Sequence, residues 1–135
     1  MIPVYQTKFG RLKGNCLQAA FASVLELPLE EVPNFSEWGP GKFWFDPTVE
    51  WLHSVGYGLV YFQCSDPVAA LEVYGIACCT VVGETERHAQ VVKFVRTEGE
   101  DSDKVYWEAK VVHDPNPHGG FEIGCIEEFL IPVKL

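Results

Sequence analysis

Hydrophobic positions early in the chain recur with the period of an α-helix. They follow the spacing i, i+3, i+4, i+7 that places apolar side chains on one face, which predicts a first helix over residues 17–27. The residues of this face are Leu17, Ala20, Phe21, Val24 and Leu25. Asn15 stands just before the run and is predicted to cap it, and Pro28 either closes the helix or opens a short second one over residues 29–32.

Two Asp-Pro pairs predict further helix starts, because aspartate caps a helix and proline suits its first position. The pair at Asp46 predicts a helix that runs to about Val55, with Gly56 past its end. The pair at Asp66 predicts a helix that ends before Gly75.

The second half of the chain is rich in the β-branched and aromatic residues that are typical of strands. Strands are predicted over residues 59–63, 76–82, 88–96 and 104–113. The acidic segment of residues 97–103 predicts a turn that pairs the last two strands as a hairpin. Residues 125–135 are predicted as a short helical or extended segment that returns to the sheet edge. Helices followed by antiparallel strands predict an α+β fold.

The composition narrows the class of protein and its surroundings. A chain of 135 residues predicts one domain over residues 1–135, and a net charge of −9 disfavours nucleic acid and anionic membranes as main partners. The chain has no long apolar run and no signal-peptide pattern, so neither a membrane span nor export is expected. Five cysteines, an odd number without paired spacing, favour free thiols in a reducing, cytoplasmic setting. No oligomeric state is indicated.

Cys16 stands at the predicted start of the first helix, which is a favourable place for a nucleophilic thiol. The N–H groups and the positive end of the helix dipole favour its reactive thiolate form. Such a nucleophile needs a base, and the base needs a group that fixes its tautomer. His88 begins one strand of the predicted hairpin and Asp114 follows the other, so both fall at the same end of the pair.

An oxyanion formed during acyl transfer needs hydrogen-bond donors as well. The backbone N–H of Cys16 is one candidate. A side-chain amide upstream would be the second, and Gln6 is the only glutamine before Cys16.

These residues resemble the papain-like cysteine peptidase superfamily, and most closely its compact bacterial and phage branch, which includes the bacteriocin-leader-processing C39 peptidases. The matching runs are Gly14-Asn15-Cys16-Leu17-Gln18-Ala19-Ala20, His88-Ala89-Gln90-Val91-Val92 and His113-Asp114-Pro115. The resemblance implies a papain-like fold, with N-terminal helices packed on a C-terminal antiparallel sheet. It also implies nucleophile Cys16, base His88, orienting Asp114 and oxyanion donor Gln6. One departure is that Gln6 lies ten positions before Cys16, farther than is usual in the family.

The activity that the resemblance implies is a cysteine-dependent hydrolase, a peptidase, isopeptidase or amidase that works through a thioester. The expected partner is a protein or peptide substrate, and no metal or organic cofactor is needed. Deamidation and acyl transfer use the same triad, so both stay open. Asn15 and Trp44 are the residues expected to contact substrate. The alternative function is a catalytically inactive binding module of the same fold that recognises a peptide or masks a protein partner.

Each catalytic candidate can also be interpreted as a residue with a purely structural role and no part in catalysis. Cys16 would be a small buried apolar residue, His88 a satisfied histidine at a strand end, and Asp114 an ordinary turn starter. Asn116 is the alternative to Asp114 for orienting His88, because an amide oxygen can also accept from imidazole.

Other reactive or aromatic side chains are predicted to be structural. His113, Asp114 and His118 lack the spaced partners of a metal site. The remaining thiols, Cys64, Cys78, Cys79 and Cys125, are predicted to lie in the core, and His53 is predicted to lie at the surface. Three interpretations stay open for a group of aromatic residues, namely that they line a substrate cleft, pack in the core or form a covering flap. These residues are Trp38, Phe43, Trp44 and Phe45.

Overall fold

Two α-helices from the first half of the chain pack on an antiparallel sheet of five strands, four of which come from the second half. The computed structural model describes residues 1–10, 14–38, 44–63, 72–83, 87–98, 105–119 and 123–135. Its α-helices are α1 (Cys16–Leu25) and α2 (Phe45–Ser54), with short 3₁₀ helices at Leu29–Glu31 and Phe35–Trp38. Its strands are β1 (Tyr57–Gln63), β2 (Tyr74–Val81), β3 (Arg87–Glu98), β4 (Val105–His113) and β5 (Ile123–Lys134). The predicted α+β class is confirmed.

The five strands form one sheet in the order β1-β5-β2-β3-β4, and neighbouring strands run antiparallel. The predicted hairpin of β3 and β4 is confirmed. The prediction for the end of the chain was wrong in one respect, because β5 lies inside the sheet between β1 and β2 rather than at an edge. An inner position suits the apolar stretch Phe129, Leu130 and Ile131, which is buried.

The core has two parts. On one side, α1 contributes Ala20, Phe21 and Leu25 to a cluster that includes Ile76 and Val91 of the sheet. The rings of Phe21 and Phe35 meet edge to face there, with centroids 5.1 Å apart. A second cluster is built by residues at the intervening strand positions, Ala77, Val92, Phe94, Phe129 and Ile131. The alternation along β2 and β3 therefore gives the sheet two buried faces.

Helix boundaries follow the predictions with two corrections. Helix α1 begins at Cys16, but the side chain of Asn15 makes no capping hydrogen bond. Helix α2 begins at Phe45, with Trp44 rather than Asp46 at the cap position. It ends as predicted before Gly56, whose φ of 90° is a backbone conformation that glycine adopts easily. The helix predicted from Asp66 lies largely outside the described residues.

Neither α-helix in the described ranges has the length and apolar character needed to span a membrane.

Candidate active site

Three elements bring Cys16, His88 and Asp114 together. Cys16 is the first residue of α1, His88 is the second residue of β3, and Asp114 directly follows β4. His88 Nε2 lies 2.7 Å from Asp114 Oδ1, and the side chain of His88 is also hydrogen-bonded to that of Cys16. Since Nε2 faces the aspartate, Nδ1 is the ring nitrogen that serves the thiol. The structure thus joins the three residues as a thiol, an imidazole and a carboxylate in series.

The Asp114 carboxylate is held by three donors. Oδ1 accepts from His88 Nε2 and from the backbone N–H of Asn116 at 2.8 Å, and Oδ2 accepts from Gln90 Nε2 at 3.0 Å. Burial alone would raise the pKa of Asp114, but these hydrogen bonds and the charge of His88 lower it. An ionised carboxylate only accepts, so His88 Nε2 carries the proton in this contact.

His88 is buried and has a perturbed pKa. Burial by itself lowers the pKa of His88, but the hydrogen bonds to Asp114 and Cys16, together with the charges of both, raise it to about 9. The imidazole is therefore stabilised in its protonated form next to the sulfur. An imidazole that holds a proton between the sulfur and the carboxylate can deliver that proton to a leaving group.

Cys16 is partly exposed at the positive end of α1. The first turn of this helix contains no acidic residue that would offset the helix dipole. First-turn N–H groups have no carbonyl partner inside their helix, so they are available to a bound anion. The buried-apolar interpretation of Cys16 does not account for its partial exposure and its hydrogen bond to His88.

The N-terminal segment closes one side of the site. The backbone N–H of Gln6 donates to Pro115 O at 2.9 Å, and His113 Nε2 donates to Val4 O at 2.8 Å. These bonds tie the segment to the turn that carries Asp114. The segment therefore lies between that turn and the start of α1.

Gln6 approaches the residue that precedes the candidate nucleophile. Its Nε2 donates to Lys8 O at 3.0 Å, and the same carbonyl accepts from the backbone N–H of Asn15 at 3.2 Å. The long separation from Cys16 in sequence is absorbed by the connection between Lys8 and Asn15. Gln6 is only 7% exposed, and its Oε1 is the buried side-chain oxygen without a partner among the described residues. One hydrogen of Nε2 is left after the bond to Lys8.

The side chain of Asn15 makes four hydrogen bonds within the protein. Its Oδ1 accepts from the N–H groups of Thr7 and Lys8, and its Nδ2 donates to Thr7 Oγ1 and Gln18 Oε1. These four bonds use both donors and two acceptor positions of the amide. Asn15 is 2% exposed and its side chain holds the N-terminal segment against α1, while its contact with substrate stays a prediction.

Asn116 does not orient His88. Its Oδ1 accepts from the backbone N–H of His118 at 2.9 Å, while its own N–H supports Asp114. Both residues form local turns of the kind that Asp and Asn favour. Asp114 is therefore the carboxylate next to His88, as the sequence predicted first.

Trp44 packs against the core cluster on the helix side of the sheet, at the cap of α2. Its ring meets that of Phe45 edge to face with centroids 5.8 Å apart. These contacts favour core packing for Trp44, and its contact with substrate stays a prediction. Phe43 lies outside the described residues.

Two residues near the site were missed by sequence reasoning. Gln90 lies two positions after His88, so both side chains lie on the same face of β3. This two-residue spacing is the sequence signal that places Gln90 near the site. Cys79 pairs directly with His88 across β2 and β3, and its thiol donates to His88 O at 3.2 Å. Burial and the charges of Asp114, Cys16 and Glu127 raise the pKa of Cys79 to about 11, so this thiol stays protonated.

The remaining thiols differ in exposure. Cys78 is buried, and burial raises its pKa, in agreement with a core thiol. The core prediction was wrong for Cys125, which is exposed on β5, and Cys64 lies outside the described residues. Cys125 lies where the pairing of β2 and β5 is irregular, and an irregular pairing bends a strand and re-aims its side chains. All four described cysteines are free.

Two histidines outside the site make no side-chain hydrogen bond to Cys16 or Asp114 in the part of the chain that the structure describes. His113 donates to Val4 O, and its ring meets the ring of Tyr5 edge to face with ring centroids 4.9 Å apart. His53 is exposed, as predicted. Among the described residues, no group of three or more His, Cys, Asp or Glu side chains is arranged to hold a metal ion.

Comparison with known proteins adds no relative. Neither a protein-family model, nor a curated protein, nor a solved structure matches this chain. The case for function therefore rests on the geometry of Cys16, His88 and Asp114.

Proposed function

We propose that the protein is a cysteine-dependent hydrolase of amide bonds, a peptidase, isopeptidase or amidase with a papain-like arrangement of helices and sheet. The observation that carries this proposal is the hydrogen-bonded series from Cys16 through His88 to Asp114, which begins at a helix N-terminus. Each member has the position that a thiol nucleophile, its base and the orienting carboxylate require. The substrate class, a protein or peptide, and the cytoplasmic setting are parts of the same proposal.

In the first step, Cys16 Sγ, whose proton has already passed to His88 Nδ1, attacks the carbonyl carbon of the amide. The carbonyl oxygen becomes an oxyanion in a tetrahedral intermediate. Its collapse breaks the C–N bond, and the proton on His88 passes to the leaving amine. A thioester of Cys16 and a neutral imidazole result. Asp114 keeps the other ring nitrogen protonated throughout.

The oxyanion is proposed to lie at the N-terminus of α1. The backbone N–H of Cys16 is one donor, and the second hydrogen of Gln6 Nε2 is the candidate for the other. Gln6 is fixed for this task by its bonds to Pro115 and Lys8. A preorganised donor stabilises the charge because it need not reorient during the reaction.

In the second step, His88 Nδ1 takes a proton from water, which attacks the thioester carbon. The C–S bond breaks, the acid product leaves, and the proton returns to the sulfur of Cys16. An amine in place of water gives acyl transfer, and a side-chain carboxamide as substrate gives deamidation. The same residues serve all three outcomes, so the nature of the acceptor decides among them.

The test compares two thiols of one protein. Cys16 has a base and a helix N-terminus, whereas Cys125 is exposed and has neither within the described surroundings. Alkylation by iodoacetamide at pH 6, followed by peptide mass spectrometry, is expected to modify Cys16 at least about tenfold faster than Cys125. In His88→Ala, the rate at Cys16 is expected to fall to that of Cys125.

A quantitative search for products completes the test. The purified protein is incubated with a cell lysate, and new peptide termini and one-unit deamidation shifts are compared with those from Cys16→Ala and Cys125→Ala. Products that require Cys16 but not Cys125 support the proposal. Slow alkylation of Cys16 that is unaffected by His88→Ala would overturn it and favour the alternative, an inactive binding module of the same fold.

A further inference from the structure

Gln90 makes a contact that the proposed reaction does not require in itself. It lies on β3 two residues beyond His88, and it is only 7% exposed. Its Nε2 donates to Asp114 Oδ2 at 3.0 Å, the oxygen that does not face His88. A buried amide that donates to the second oxygen of a carboxylate is placed to control how that carboxylate is oriented.

The donors around Asp114 determine how its carboxylate is oriented. Donors to Oδ1 alone leave a carboxylate free to turn about its Cβ–Cγ bond, because both oxygens can accept. Here His88 and the N–H of Asn116 occupy Oδ1, while Gln90 occupies Oδ2 from the neighbouring position on β3. Donors on both oxygens define one orientation of the group.

We propose that Gln90 is a positioning residue for His88, acting through Asp114: its amide fixes the carboxylate and keeps it ionised, so that His88 Nε2 stays bonded and Nδ1 faces Cys16. The catalytic part of this inference rests on the proposed function. The structural part concerns the ionisation of Asp114 alone and can be measured without substrate.

The charges around Asp114 explain why a neutral donor is suited to this position. Among the described residues, the titratable groups that face this region are His88 on β3, Cys79 on β2 and, through His88, Cys16 on α1, with Glu127 of β5 near Cys79. A cationic side chain at position 90 would compete with His88 for the carboxylate. The amide of Gln90 supplies a hydrogen bond without a second positive charge.

The experiment uses Gln90→Met, which keeps the length of the side chain and removes its donor, and Gln90→Glu, which places a second carboxylate against Asp114. NMR titration of the Asp114 carboxyl carbon is expected to show its pKa higher in Gln90→Met than in the original protein and higher still in Gln90→Glu. Alkylation of Cys16 is expected to slow about tenfold in Gln90→Met, with its acidic limb moved to higher pH.

Gln18→Met is the matched control, since it removes a glutamine that donates to Leu29 O and Val32 O and accepts from Asn15 but has no hydrogen bond to Asp114. It is expected to lower stability without changing the titration of Asp114. An Asp114 titration that is unchanged in Gln90→Met would overturn the inference. A moved titration in a protein without Cys16-dependent chemistry would uphold the contact and instead reject the proposed function.

Discussion

Cys16 and Cys125 present the same side chain in two contrasting regions of the molecule. Cys16 lies at the start of α1, is hydrogen-bonded to His88, and is connected through it to a carboxylate with three donors. Cys125 lies on the exposed surface of β5, where its thiol donates to Ile126 O at 3.4 Å and its backbone N–H donates to Thr80 Oγ1. Exposure is greater at Cys125, but the groups that assist a nucleophile are at Cys16.

The comparison shows that the reactivity expected of a thiol depends on whether a neighbouring group can accept its proton. A solvent-exposed thiol is accessible but has no base of its own. A thiol beside a buried imidazole can pass its proton to the ring, because the carboxylate behind the ring orients it and stabilises its protonated form. The predictions below remove these parts one at a time, in decreasing order of expected effect.

Asp114→Asn is expected to lower the reactivity of the Cys16 thiol towards that of the Cys125 thiol. The single oxygen of the new amide cannot accept from both His88 and Gln90, which donate to opposite sides of the group. We expect Cys16-dependent turnover or alkylation to fall about 100-fold, the lower range for loss of a positioned base. Asn116→Ala, which removes only the side chain that accepts from His118, is expected to cost far less. Equal losses in the two variants would contradict the role of Asp114.

The stability of the protein is expected to depend on pH because His88 and Asp114 have shifted pKa values in the fold. The pKa of His88 is about 9 in the fold and ordinarily 6.5. The stability contributed by protonated His88 is therefore fully present below about pH 6.5 and is lost as the pH rises through 9. The pKa of Asp114 is lowered, so its contribution is present above its ordinary 3.8 and is lost as the pH falls below it.

Urea unfolding at pH 6.5 and pH 9.5 measures the alkaline part of this dependence. We expect the free energy of unfolding to fall by roughly 2–3 kcal/mol over this interval because of His88. His88→Ala should remove most of the fall, and His53→Ala should retain it, because His53 is exposed on α2. A pH dependence that survives in His88→Ala would show that another group carries it.

The ion pairs on the outer surface of the sheet are expected to contribute least. Arg87 precedes His88, yet its guanidinium is exposed and pairs with Glu127 at 2.7 Å and Glu128 at 3.4 Å. Arg87 also lies opposite Thr80, whose hydroxyl contacts Cys125. We expect Arg87→Ala to change the free energy of unfolding by less than about 1 kcal/mol, as is typical of exposed ion pairs. A larger loss would indicate that this surface supports His88 directly.

Local sequence patterns predicted the helices and strands because each pattern reflects an interaction within a few residues. The apolar spacing after Cys16 predicted α1, and β-branched runs predicted β2, β3 and β4. The caps were predicted wrongly, because the side chain of Asn15 has a second possible use. It satisfies the N–H groups of Thr7 and Lys8 instead of capping α1, a choice that depends on where the N-terminal segment lies.

The candidate site was predicted where local geometry sufficed. A hairpin register places His88 and Asp114 at one end of a strand pair, and the structure joins them at 2.7 Å. The contact of Gln90 with Asp114 follows from the two-residue period of a strand, but it becomes visible only once the direction of the Asp114 side chain is known. The burial of Asn15 and the exposure of Cys125 depend on long-range packing and were not predicted.

The sequence by itself determined the elements and the order of the candidate residues, because periodicity, caps and turns act over short distances. Tertiary structure alone decided the position of β5 inside the sheet, since pairing between distant strands depends on which edges are left open when the chain collapses. It also decided which of the four described cysteines has a base beside its thiol. Only packing of α1 on β3 brings the sulfur of Cys16 to the imidazole of His88, and a contact across that distance in sequence has no local pattern.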